Sequence, residues 1–252
     1  MLANDFVTTM MNVSSLMREL EDVGIRVVIG DDFSEYNLYR KSQESRGFMF
    51  PVFDVTTSFV DGTNGFWVCG FNEKDELMHT QAVRLFDLKD STLGHHFNVH
   101  RHKYITPDTT PDPDLTFYSG PESLRMITGR VCYHGDFWLY ARGLGGPRSA
   151  GVTASLSRIL FEMTVRLWEP DYVVGFVPKR LAEKGTHLRY GYSHCEPGLW
   201  IGPDQQVTDE DHLVWMDRDD LNNALTRPLP SLKSNPRLTS VASDLTLDRA
   251  QG

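Results

Sequence analysis

The chain has 252 residues, 40% hydrophobic, 23% charged and 11% aromatic, the proportions of a soluble globular protein and not of a disordered, collagenous or fibrous one. Asp and Glu outnumber Lys and Arg by 34 to 25, a formal charge of −9. That balance argues against non-specific binding to nucleic acid or anionic lipid, because both polyanions would be repelled.

In chain order, residues 12–23 place Leu16, Leu20 and Val23 at helical spacing behind Ser14 and Ser15, and Gly24 closes the segment, so a helix is expected. The β-branched run 25–29 reads as a strand. Residues 34–45 open on a good N-cap, Ser34, and read as a helix. A hairpin follows: strand 66–71, a polar turn at 72–76 and a second strand at 77–88. Residues 89–123 hold HHFNVHRH and then a proline-dense TPDTTPDPD, which excludes a continuous helix or inner strand and reads as a long loop or insertion.

A second hairpin is expected over 125–141, turning at His134-Gly135. The glycine-rich RGLGGPRSAGVTA comes next, and then a helix at 155–168, with Leu156, Ile159, Leu160, Met163 and Leu167 on one face and Pro170 beyond it. Residues 172–177 (YVVGFV) read as a strand covered on both faces, and 178–187 as a short helix opened by proline. The acidic run 209–220 reads as a solvated face. From Pro228 onward a weakly packed, flexible tail is expected, leaving one domain over 1–227 with an insertion at 89–123. This order is α/β with a mixed sheet.

Cys69, Cys132 and Cys195 stand far apart with no CxxC pair, so neither a disulfide framework nor a zinc ribbon is indicated; a reducing, cytoplasmic setting is expected. The N-terminal twenty residues lack the basic start and apolar run of a secretion signal. No segment reaches the ~18 apolar residues that span a bilayer.

The chemistry-bearing stretch is 136–177: strand, glycine-rich turn, helix, strand. Such a turn presents backbone N–H groups at a helix N-terminus, where dipole and unpaired donors favour phosphate. No lysine follows the glycines, which rejects a Walker A loop, and Arg148 stands where the dinucleotide fingerprint needs its last glycine. Arg148, Ser149, Ala150, Gly151, Val152 and Thr153 match R/Q-x-x-G-x-G/A except at the final Thr. The competing register from Arg142 places Pro147 where a backbone donor is required.

On these residues the chain resembles the GNAT superfamily of N-acyltransferases. The resemblance continues through FWVCGFNEKDELMHTQAVRL, similar to the family's second and third strands, and YVVGFV, similar to its fifth, which splays from the fourth. LAEKGTHLRYGYSH is similar to the fourth-helix signature, with Tyr190-Gly191-Tyr192 at its x-G-F. The resemblance implies a mixed, mostly antiparallel sheet flanked by helices, with splayed central strands. It also implies acyl transfer from acyl-CoA or acetyl-CoA, or from the phosphopantetheine of an acyl carrier protein, to an amine attacking directly in a ternary complex.

The 148–153 loop would hold the diphosphate or phosphopantetheine, and backbone N–H groups near Gly143 and Leu144 would stabilise the oxyanion. His187 stands in place of the family's tyrosine acid, so His187 or the nearby Tyr190 would protonate sulfur. Asp136 is the candidate base for the acceptor amine. The strand with Ala82-Val83-Arg84-Leu85, the long insertion, and Asp54 and Asp61 resemble the acyl-homoserine-lactone and N-acyl-amino-acid synthase branch, although its E-x-S-R-F segment is missing. A non-catalytic module of the same fold, binding a thioester or a partner protein, is the alternative.

His95, His96, His100 and His102 lack a carboxylate at ligand spacing, so no metal is expected there; lining the acceptor site is their functional reading. Cys132 has no positioned partner in the sequence. Phe66, Trp67, Trp138 and Tyr140 read as core.

Overall fold

The computed structural model describes residues 3–43, 46, 49–104, 112–140 and 151–232. The chain opens with α1 (Ala3–Glu21), longer than its apolar spacing indicated, then β1 (Arg26–Gly30) and α2 (Phe33–Lys41). Asp32, not Ser34, caps α2, its carboxylate accepting from the Ser34 N–H at 2.8 Å. The expected hairpin is present as β2 (Gly65–Phe71) and β3 (Leu77–Leu88).

The insertion is more ordered than its prolines suggested. It holds α3 (Leu93–Val99), β4 (Phe117–Ser119) and α4 (Ser123–Met126). Thr92 caps α3 through the His95 N–H, and the helix ends before the first proline, so the prolines never oppose it.

The second hairpin is not formed. β5 (Gly129–Leu139) runs straight through His134-Gly135 and pairs with β3 along its length. Thr80 faces Trp138 and Ala82 faces Gly135, so Gln81 stands opposite two residues, Asp136 and Phe137. That is a β-bulge, and it absorbs the left-handed Asp136 (φ 52) without ending the strand. The turn-like dipeptide therefore marks a bulge.

α5 (Thr153–Trp168) follows and stops at Glu169, which adopts a left-handed conformation before Pro170. Next come β6 (Tyr172–Pro178), α6 (Lys179–Ala182), α7 (Thr186–Tyr190), β7 (His194–Glu196), β8 (Leu199–Ile201), β9 (Val207–Asp209), β10 (Asp211–Asp217) and α8 (Arg218–Thr226). The acidic run is not a solvated face: Leu213, Val214 and Met216 of β10 are buried, and Asp217 caps α8 through the Asp220 N–H at 2.8 Å.

The main sheet has the order β1-β2-β3-β5-β6-β10-β7, and β4-β8-β9 form a smaller one. Every pair in the main sheet is antiparallel except β5 and β6. These two pair only at Val131–Tyr172, Cys132–Val173 and Tyr133–Val174. Beyond Tyr133 and Val174 they diverge, so the sheet is split at its centre. This is the mixed, mostly antiparallel sheet with splayed central strands that the resemblance implied.

Each face of the sheet is covered. On one, Leu16 and Leu20 of α1 and Leu156, Ile159 and Leu160 of α5 pack on Val68, Val83 and Val173. On the other, Phe33 and Tyr36 of α2, Phe53 and Phe97 pack on Trp67, Ala82 and Val174. Phe66 and Trp67 are core, as expected. Each fully buried side chain of this size contributes about 1.5–3 kcal/mol relative to exposure. The start of the expected flexible tail is packed, with Leu229 and Leu232 against the α1/α5 core; residues 233–252 lie outside the described ones. No helix among the described residues is long and apolar enough to cross a membrane.

Candidate active site

The split between β5 and β6 opens a cavity of about 240 Å³. Strand alternation sends successive side chains to opposite faces, and the lining reflects it. Phe137, Val177, Tyr190 and Tyr192 belong to the α1/α5 side, whereas Phe50, Tyr104, Tyr133 and Phe176 belong to the α2/α3 side. The cavity is therefore lined from both faces of the sheet.

At its apex Gly175 of β6 lies so close to β5 that a Cβ there would stand 2.6 Å from the His134 carbonyl oxygen and 3.5 Å from the Tyr192 hydroxyl. Only glycine permits this approach. His134 is enclosed by a chain of hydrogen bonds: its Nδ1 is 3.0 Å from the Tyr192 hydroxyl and its Nε2 is 3.1 Å from Gln81 Oε1. Gln81 Nε2 in turn donates to the Leu156 carbonyl at 2.7 Å. Burial lowers the His134 pKa to about 3, so the ring is neutral. The local sequence reads His134 as part of a turn and Tyr192 only as the end of a motif; their contact spans 58 residues and has no local signature.

Asp136 lies on the cavity wall, and its carboxylate is fully engaged. Tyr36 donates to Oδ2 at 2.6 Å, Arg40 Nε is 2.7 Å from the same oxygen, and Arg46 donates to Oδ1 at 2.7 Å. Arg46 also donates to Thr80 Oγ1, which donates on to the Asp136 carbonyl. Two guanidinium groups thus face one carboxylate, all largely removed from water.

A second carboxylate, Asp211, enters the cavity from the start of β10. It accepts a hydrogen bond from Trp200 Nε1 at 3.0 Å, and its backbone carbonyl accepts one from the Tyr118 hydroxyl at 2.8 Å. Burial first, and the neighbouring Asp209 second, push its pKa from 3.8 up to about 6. Sequence reading missed it by treating 209–220 as solvent-facing; the alternation in DHLVWMD was the available signal.

Among the other expected residues, Tyr190 lines the cavity, its ring 4.3 Å from that of Phe137. His187 is not on the cavity wall; burial, and the nearby His212, lower its pKa. Gly151 is left-handed (φ +79) and Val152 is fully buried. α5 begins at Thr153, with no side-chain cap among the described residues. Gly143, Leu144, Arg148, Ser149 and Ala150 lie outside the described residues.

None of the four insertion histidines lines the cavity, and of the four only His96 and His100 are in ring contact, with centroids 4.8 Å apart. His96 is a core residue, bonded to the Tyr104 hydroxyl at 2.6 Å with its pKa lowered to about 3 by burial, whereas His95 and His102 are exposed. The insertion reaches the cavity through Tyr104 instead. Cys132 is fully buried, which pushes its thiol pKa up.

No protein-family model matches the sequence, and no curated protein matches it. Solved structures with a similar fold include FeeM, an N-acyl amino acid synthase from uncultured soil microbes, at 12% identity and TM-score 0.46, over 80% of this chain and 96% of that one. FdhC, a nucleotide-linked sugar GNAT, is similar at 9% identity and TM-score 0.38, over 80% and 90%. NAA60 of Arabidopsis thaliana, in complex with acetyl-CoA, is similar at 10% identity and TM-score 0.42, over 76% and 98%.

Proposed function

We propose that the chain is an N-acyltransferase that passes an acyl group from a thioester to an amine in the opening between β5 and β6. The donor is acyl-CoA, acetyl-CoA included, or the phosphopantetheine of an acyl carrier protein. The observation that carries this reading is the cavity lined from both faces of the sheet, which lets two substrates approach one point from opposite sides.

The donor enters on the α5 side. The N-terminus of α5, which has no side-chain cap among the described residues, offers backbone N–H groups and the positive end of a dipole, both suited to a diphosphate. That group is assigned to Arg148, Ser149, Ala150, Gly151, Val152 and Thr153, and stabilisation of the oxyanion to backbone N–H groups near Gly143 and Leu144. The acceptor enters on the side of Phe50, Tyr104 and Asp211.

An ammonium must lose a proton before its nitrogen can attack. Asp136 has no oxygen free of a cation or phenol, so the base is Asp211, whose pKa near 6 suits proton transfer close to neutral pH. The amine nitrogen attacks the thioester carbonyl and the C–S bond breaks. Tyr190 rather than His187 gives its proton to sulfur, because Tyr190 is on the cavity wall, and the second proton that leaves the nitrogen restores the Tyr190 phenol. Much of the rate comes from holding the two reactants together.

Thermal unfolding with acetyl-CoA, a long-chain acyl-CoA and free CoA tests the donor half. A ligand at a hundred times its Kd stabilises the native state by about 2.7 kcal/mol, roughly 5–10 °C for a chain of this length. Thiol release from the ligand that binds, measured across a panel of amines, tests the transfer. Binding without release from any amine would favour a non-catalytic thioester-binding module.

A further inference from the structure

The hydrogen bonds around His134 have a direction, and the atoms that make them set it. A carbonyl oxygen only accepts, so the contact between Gln81 and the Leu156 carbonyl must use the Gln81 amide nitrogen. Gln81 Oε1 is thereby turned toward His134 Nε2, and since that oxygen also only accepts, Nε2 carries the ring proton. The ring is neutral, because burial disfavours its charge, so Nδ1 is bare. The Tyr192 hydroxyl beside it at 3.0 Å must then be the donor. With its proton spent on His134, the Tyr192 oxygen has only lone pairs left to offer. It sits at the apex of the cavity, over Gly175.

We infer that Tyr192 is a hydrogen-bond acceptor for the ligand in the cleft, held in that role by the one-way chain Leu156–Gln81–His134, and that it takes an S–H or amide N–H of a thiol arm. This deepens the thioester reading and rests on it. A tyrosine in a thioester site is readily taken for the acid that protonates sulfur, and the chain of donors denies Tyr192 that part. Giving up its proton to a ligand would break the bond to His134, and passing a proton inward would charge a ring that burial keeps neutral. Gly175 is the matching feature on β6, since any side chain there would meet the hydroxyl and the His134 carbonyl together.

Two measurements on the full chain test the inference. The first is the ¹⁵N NMR signature of His134 in the wild-type protein between pH 5 and 8. The expected result is a neutral ring protonated on Nε2 throughout, and a proton on Nδ1 would overturn the inference. The second compares the Kd of coenzyme A and of desulfo-coenzyme A for wild type and Tyr192→Phe, which keeps the ring in the core and removes only the oxygen. One lost neutral hydrogen bond weakens binding about two- to tenfold. A loss seen with coenzyme A alone identifies the thiol as the donor; an equal loss with both compounds identifies an amide.

If wild type binds both compounds and Tyr192→Phe binds them equally well, the acceptor role is wrong while the thioester site stands. If wild type binds neither, the thioester reading fails and the ligand half of the inference falls with it; an Nε2 proton would then support only the direction of the chain. Should Tyr192→Phe not fold, the wild-type NMR signature still decides whether the oxygen can accept.

Discussion

Two of the three aspartates that line the cavity, Asp136 and Asp211, have opposite surroundings. Asp136 is met by Arg40, Arg46 and Tyr36, each within 2.7 Å of a carboxylate oxygen. Among the described residues the side-chain carboxylate of Asp211 receives one neutral donor, Trp200, and has Asp209 nearby. Burial costs a carboxylate its hydration in both places. At Asp136 the cations compensate that cost and fix the group as part of the wall. At Asp211 no cation among the described residues pairs with the carboxylate, and the group is left ready to hold a proton near neutral pH. Being an acid residue in a cleft is thus not the signal for a base; what its oxygens touch decides.

Removing each charge should separate the two sharply. Asp136→Asn leaves two guanidinium groups without their carboxylate, and breaking such a buried pair costs about 3–5 kcal/mol. Urea unfolding of the purified variant reads this directly, and a loss below about 1 kcal/mol would mean that the cluster does not hold the wall. Asp211→Asn should act on the reaction instead: a fall in kcat of roughly a hundredfold or more, the usual contribution of a positioned base. The wild-type rate should drop as pH falls through about 6, and that limb should vanish in the variant. If the limb survives in Asp211→Asn, the base is elsewhere.

Stability gives the pair a second contrast. The Asp211 pKa is raised from 3.8 to about 6 on folding, so between those values the folded state holds a proton that the unfolded state has released. Its contribution is therefore favourable below that window and is lost as pH rises through it. Asparagine carries no such dependence. Asp211→Asn should be at least as stable as wild type at pH 7, where Asp136→Asn is weakened, and should lose its advantage as pH approaches 4. Melting curves at pH 4, 5, 6 and 7 follow the change, and a variant less stable than wild type at pH 7 would contradict it.

The same contrast separates what the sequence could tell from what it could not. The hairpin at β2 and β3, helix α5 and strand β6 were legible because each signal is local: alternation, a polar turn, one apolar helical face. The bulge at Asp136 was misread as a turn, since His134-Gly135 gives the same local signal whether the chain reverses or merely kinks. The wall around Asp136 joins α2, Arg46 and β5 across about a hundred positions, and no spacing encodes such a contact. Asp211 was hidden differently: its acidic neighbours gave the look of a solvated surface, while Leu213, Val214 and Met216 were marking a buried strand. The insertion histidines misled in the reverse direction, a dense motif whose buried member, His96, is spent on Tyr104.

The smallest expected effect is the most exacting test of how Asp211 is tuned. Burial is the first cause of its raised pKa and Asp209 the second, so Asp209→Asn removes the lesser of two influences. The acid limb of the rate profile should move to lower pH by less than about one pH unit, with the plateau rate unchanged. A larger displacement would mean that carboxylate repulsion, and not burial, sets the proton affinity, making the two residues a coupled pair. A limb that stays in place would assign the whole shift to burial on the cavity wall. Added salt distinguishes the same causes without a substitution, because screening weakens the influence of Asp209 and leaves the loss of hydration at Asp211 as it was.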